Sequence, residues 1–174
     1  MQILKHIYQV GGSLNGITWC GSYGNYEDCN TYVVAAREGL ILFDCGNGET
    51  LDEIFENMEY WGLDPRDIGA CFITHPHLDH AGACYKLRER GIPLYAHENT
   101  ALAIESGDER CAGYLYNKSF IPCRVDERLS DGDVRRVCGL EIEAMHCPGH
   151  GMVYHHRPKV RIENALNEAL IRFR

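Results

Sequence analysis

The sequence predicts an α/β fold, with a mixed sheet or two sheets and helices packed outside. Three observations predict it. Apolar strand-like runs come first, strands then alternate with helices, and two more strands precede a final helix. The 174 residues suit a single domain over 1–174, and no internal repeat, low-complexity stretch or interdomain linker divides them.

Composition narrows the class. At 45% apolar and 24% charged the chain is an ordinary globular one, which excludes a disordered or collagen-like protein. Lys and Arg number 17 against 25 Asp and Glu, a net charge of −8. A protein that tracks nucleic-acid backbone normally carries the opposite balance, so no nucleic-acid partner is expected. No run of 18 apolar residues exists, so no membrane span is expected. The first ten residues read as a strand, not as an export signal. Nine cysteines, an odd number with no C-x-x-C pair, suit a reduced, cytoplasmic chain in which most thiols act as small buried hydrophobes.

The elements follow in order. Residues 2–10, rich in Ile, Leu, Tyr and Val, read as a first strand. Residues 11–24 are glycine-rich and loop-like; residues 11–29, rich in Gly, Tyr and Asn with Trp19, suit either a substrate mouth or a flexible loop. Residues 30–35 and 40–43 form a hairpin across Arg37-Glu38-Gly39. Residues 50–60 form a helix: Thr50 and Glu53 have capping-box spacing, and Leu51, Ile54, Phe55 and Met58 make one apolar face. Asp64-Pro65 is a turn. Strands are expected at 70–74 and 92–96, and helices at 80–90, closed by Gly91, and at 98–106. Residues 107–127 are irregular. After a turn at Ser130-Asp131-Gly132-Asp133, residues 134–138 and 140–145 form another hairpin. In the tail, Ile162, Ala165, Leu166, Ala169, Leu170 and Phe173 mark a last helix.

The chemistry sits in two histidine boxes. The first is His75-Pro76-His77-Leu78-Asp79-His80, between a predicted strand and a predicted helix. Zinc needs neutral imidazole or carboxylate donors converging at about 2 Å. His75 and His77 alternate and can point to one side of a strand-end loop, while Asp79 and His80 enter the same hollow from the next helix. The second box is His146-Cys147-Pro148-Gly149-His150-Gly151. Its Pro-Gly turn can hold one more imidazole, which would complete three protein ligands with an open position.

These residues resemble the metallo-β-lactamase superfamily, its glyoxalase II-like hydrolases in particular. Thr74-His75-Pro76-His77-Leu78-Asp79-His80-Ala81-Gly82 looks like the family's HxHxDH signature. Leu40-Ile41-Leu42-Phe43-Asp44-Cys45-Gly46 is similar to its strand and D-x-G element, and residues 130–150 to its approach to the third ligand. The resemblance implies a four-layer αββα sandwich with the site between two sheets. It implies that His75, His77 and His150 bind a first metal and that Asp79 and His80 bind a second. His146 is then a structural neighbour of the site.

The chain departs from the family after that box. The family carries further strands there, with a bridging aspartate and a last histidine, but this sequence has no aspartate after Asp133. Cys147-Pro148-Gly149-His150-Gly151 also resembles the family's closing element. The expectation is a chain lacking the segment between the two motifs, with an incomplete second half. His150 stands in for either the third or the last ligand.

Other residues have weaker claims. Asp44 suits either orienting a ligand imidazole or a turn carboxylate. His97 is expected to be structural and His6 an exposed strand residue. His155 and His156 suit a solvated loop, and Cys45 and Cys147 ordinary packing.

The expected function is a zinc-dependent hydrolase. A metal lowers the pKa of its bound water, and the resulting hydroxide attacks a thioester, ester or lactam-type carbonyl. Asp79 orients that nucleophile or takes its proton. One or two zinc ions suit an all-N/O donor set, with iron or manganese as alternatives. The competing readings are a mononuclear iron persulfide dioxygenase and a truncated, non-catalytic metal-binding relative. The expected partner is a small-molecule substrate; an open sheet edge would favour a homodimer.

Overall fold

The structure, a computed structural model, describes residues 1–12 and 28–146. Most of the expected 11–24 loop, the Cys147 to His150 turn and the tail helix lie outside those residues.

The main sheet has seven strands in sequence order. β1 (Gln2–Leu4) and β2 (Ile7–Gln9) replace the single strand expected over 2–10. His6 is the reason: it adopts φ +70°, so the chain reverses there and the two pieces pair antiparallel. β3 (Tyr32–Ala36) and β4 (Gly39–Phe43) form the expected hairpin, with Val33 opposite Leu42. From β4 onward the pairing is parallel, through β5 (Ile68–Ile73), β6 (Leu94–His97) and β7 (Glu127–Leu129).

Helices make the crossovers. α1 (Leu51–Tyr60) buries Leu51, Ile54 and Met58, as its spacing predicts. Its cap differs from expectation. Thr50 makes no side-chain bond to the helix; its hydroxyl donates to Asp28 instead. The helix expected over 80–90 begins earlier and is broken into α2 (Leu78–Ala81) and α3 (Cys84–Glu89). The break has a packing cause. A Cβ on Gly82 would lie 2.4 Å from the Asn47 backbone, and the Ala83 N–H turns to the Gly46 carbonyl at 3.2 Å. α4 (Glu98–Ser106) matches its prediction and ends on Gly107, which takes φ +64°. The irregular stretch after it contains two 3-10 turns, Glu109–Cys111 and Gly113–Tyr116.

Both faces of the sheet are covered, which is why its strands read as continuous apolar runs. Leu40 and Leu42 of β4, and Cys71 and Ile73 of β5, face the helices in one core. The alternate residues Ile41, Ala70 and Phe72 face a second core. There they meet a separate two-stranded sheet of β8 (Val134–Val137) and β9 (Leu140–Glu143), the predicted second hairpin. Phe43, Phe72 and Tyr95 stack across neighbouring strands on this face, with centroids 5.6 and 4.6 Å apart. Helices, large sheet and hairpin supply three of the four expected layers. Residues 162–173, expected to form a helix, are not among the described ones.

The carboxyl ends of β4, β5 and β6 lie side by side, so Asp44, Thr74 and His97 leave the sheet along one edge. Parallel sheets place their ligands beyond this edge.

Candidate metal centre

Asp44, the residue after β4, organises the site. It is 4% exposed and takes φ +60°, a strained conformation for a residue with a side chain. That twist turns its carboxylate along the sheet edge toward β5. Oδ1 accepts the Thr74 N–H at 2.8 Å, and the Thr74 hydroxyl donates to both oxygens at 3.0 and 2.9 Å. Oδ2 lies 2.8 Å from His80 Nδ1.

The first histidine box wraps round this carboxylate. His75 follows β5, with Nδ1 3.0 Å from the Thr74 hydroxyl. His77 is the residue before α2, whose first turn carries Asp79 and His80. The His75 ring stands 4.8 Å from that of His77 and 3.8 Å from that of His80, centre to centre. His80 Nε2 and Asp79 Oδ2 are 3.4 Å apart. The structure thus brings together four of the five predicted donors: His75, His77, Asp79 and His80. The fifth, His150, lies outside the described residues.

The electrostatics suit a cation. Burial works against a charged His80, but the Asp44 carboxylate bonded to Nδ1, helped by Asp79 and Asp28, raises its pKa above the ordinary imidazole value. Asp79 Oδ1 is buried and has no hydrogen-bond partner among the described residues. Such an orphaned oxygen costs about 1–3 kcal/mol unless something takes its lone pairs. The spacing supplies a further test of fit. A tetrahedral ion with bonds of about 2.0–2.1 Å holds its donors about 3.4 Å apart, the separation found between His80 Nε2 and Asp79 Oδ2. That one pair of donors fits a bound divalent metal; no three of His75, His77, Asp79 and His80 have ligand atoms all within 4.8 Å of one another.

The sequence reading assigned no role to three supporting residues, two of them at the end of the 11–29 stretch. Asp28 accepts the Asn47 N–H at 2.7 Å and the Thr50 hydroxyl, so it clamps the loop after β4. Burial raises its pKa to about 6 against those hydrogen bonds. A carboxylate four residues before a strand carries no pattern that would have revealed this. Tyr116 stands beside Asp79; burial first, then that carboxylate, push its phenol up to about 12. Cys29, a ring nitrogen of His80 and an oxygen of Asp44 lie within 4.8 Å of one another. Asp44 is already committed to Thr74 and His80. Burial, with Asp44 and Asp28, raises the Cys29 pKa and keeps it a thiol. This trio is the group of three donor atoms that the fold brings together among the described residues. Beneath it, Cys45 donates to the His80 carbonyl at 3.3 Å and packs 3.8 Å from Cys84, as expected for cysteines used as packing.

Comparison with known proteins bears on the family and the fold. Residues 24–157 match the family model of the metallo-beta-lactamase superfamily. The ribonuclease TTHA0252 of Thermus thermophilus is 32% identical over 135 residues, 71% of this chain and 31% of that protein. The probable metallo-hydrolase YqgX of Bacillus subtilis is 27% identical over 124 residues, 70% of this chain and 56% of that protein. Among solved structures, the subclass B3 metallo-beta-lactamase BJP-1 of Bradyrhizobium japonicum superposes with a TM-score of 0.70 and 28% identity, covering 87% of this chain and 52% of that one. The chain thus spans between 31% and 56% of the length of these relatives. A family match across most of the chain, the shared fold and the grouped histidine box lead to one conclusion: the chain belongs to the metallo-beta-lactamase superfamily.

Proposed function

We propose that the chain is a zinc-dependent hydrolase acting on the carbonyl of a small thioester, ester or lactam. One observation carries the reading: Asp79 and His80 stand at the donor spacing of a single ion, and Asp79 Oδ1 is buried with no other partner among the described residues. On the family resemblance, His75, His77 and His150 would hold one zinc, and Asp79 and His80 a second. When bound, zinc supplies Lewis acidity and lowers the pKa of water.

The chain's own residues set the rest. Asp44 holds the His80 Nδ1 proton, so Nε2 keeps its lone pair for the ion. Asp79 orients the attacking water and takes its proton at the carboxylate. Thr74 fixes Asp44 through two donors and keeps the carboxylate from turning away.

The net charge of −8 favours a small substrate over RNA, although the Thermus relative is named a ribonuclease. A substrate panel of thioester, ester, lactam and RNA, run with the zinc-loaded full chain and with His77→Ala, tests the reading. Carbonyl cleavage abolished in His77→Ala is expected. RNA cleavage alone would move the substrate to nucleic acid. Oxygen uptake with bound iron would replace the hydrolase by a dioxygenase.

A further inference from the structure

Four cysteines meet in series in the core that lies under the helices. Cys45 Sγ packs 3.8 Å from Cys84 Sγ. Cys71 interacts with Cys45 from one side, and Cys123 with Cys84 from the other. Cys71, Cys45 and Cys84 have no exposure, whereas Cys123 packs against that core and is partly exposed. It surfaces in an open cavity of about 470 Å³ between α4 and β7, lined by Glu105, Pro122, Cys123, Arg124 and Arg128. Small-molecule sites have volumes of about 300–1,000 Å³. Hydrogen bonds fix the cavity's walls. One Glu105 oxygen accepts the Val125 N–H at 3.1 Å, and the other pairs with Arg128. That pair cancels in charge, while exposed Arg124 has no ion-pair partner among the described residues. The cavity is therefore cationic in a chain of net charge −8, and it sets a reachable thiol beside that charge.

We propose that this cavity takes a small disulfide bearing carboxylates, that Cys123 forms a mixed disulfide with it, and that Cys84 resolves the adduct into a Cys84–Cys123 bridge. Arg124 draws the carboxylates to the cavity. In the first step the Cys123 thiolate attacks one sulfur of the ligand. A Cys123–ligand S–S bond forms, the ligand's own S–S bond breaks, and one half leaves as a thiolate that takes up the proton Cys123 gave. In the second step the Cys84 thiolate attacks the Cys123 sulfur and expels the other half, which takes up the Cys84 proton. Two protein thiols are oxidised to a disulfide, and the ligand disulfide is reduced to two thiols.

The test treats the reduced full chain with glutathione disulfide, samples it over time, and maps every cysteine by mass spectrometry. An adduct on Cys123 is expected first, followed by its loss and a Cys84–Cys123 bridge in its place. Burial raises the Cys84 pKa, which slows the second step and lets the adduct be seen. In Cys84→Ala the Cys123 adduct should persist, and in Cys123→Ser neither product should form. The wild-type time course decides the order of events even where Cys84→Ala does not fold. Arg124→Glu should slow the first step about tenfold at low salt with glutathione disulfide and should not slow it with cystamine, a cationic disulfide. A first adduct on another cysteine, a lasting adduct on the wild-type chain, or a bridge that leaves Cys123 free overturns the proposal. Equal slowing of both disulfides by Arg124→Glu, or slowing of neither, overturns the role of the cavity.

Discussion

Asp44 decides what His80 can offer a metal. Its carboxylate can only accept, so the His80 proton stays on Nδ1 and Nε2 faces the site. Asn is the informative replacement, since it tolerates φ +60° but can present an NH2 group to Nδ1. Asp44→Asn should therefore leave the fold intact and weaken metal binding about 10–100-fold, as measured by chelator competition; unchanged affinity would count against the orienting role. Asp28 gives a second prediction, in stability. Its folded pKa of about 6 lies above the ordinary carboxylate value. The folded state therefore binds a proton more tightly than the unfolded one. The associated stability is present below about pH 4 and is lost as pH rises through about 6, amounting to up to about 3 kcal/mol. Asp28→Asn keeps acceptors for the Asn47 and Cys29 N–H groups without the charge. Urea unfolding at pH 4.5 and 7.5 should show the variant gaining on wild type at the higher pH. A difference that is flat with pH would contradict the assignment.

At the scale of elements, the site depends on how closely the loop after β4 crosses the α2–α3 junction. Gly82 allows that contact, since any Cβ there would strike the Asn47 backbone. Gly82→Ala should cost more than about 2 kcal/mol in urea unfolding and loosen Asp44 and His80 together; a cost below about 0.5 kcal/mol would show that the loop has room. This crossing also marks the limit of what the sequence discloses. The strands β3 to β6 and helices α1 and α4 were legible because each carries a buried face with a regular period. The histidine box was legible because four donors in six residues have little other use. The break between α2 and α3 was not, because it arises from a loop 35 residues earlier in the chain pressing on Gly82. The Thr50 cap was misread for a related reason. Its spacing to Glu53 fits a capping box, but Asp28 outbids the helix for the hydroxyl. The turn at His6 had no glycine to announce it. Asp44 was ambiguous in sequence, since only the fold sets it against His80.

At the scale of the molecule, metal and fold should be linked. Asp79, His75 and His80 crowd together on the sheet edge, and a bound ion would relieve the Asp79 oxygen that has no partner among the described residues. Zinc at about 100 times its Kd should stabilise the folded state by about 2.7 kcal/mol, visible as a higher thermal midpoint that a chelator reverses. An unchanged midpoint would mean that the ion binds folded and unfolded chains alike. The net charge of −8 fits the same picture, because each zinc would reduce it by two. The most direct test of the central claim is elemental analysis of the full chain purified without added metal, beside a variant in which His77 and Asp79 are both replaced by Ala. The account predicts one or two zinc ions per wild-type chain and none above background in the folded variant. A folded wild-type protein free of bound metal would contradict it.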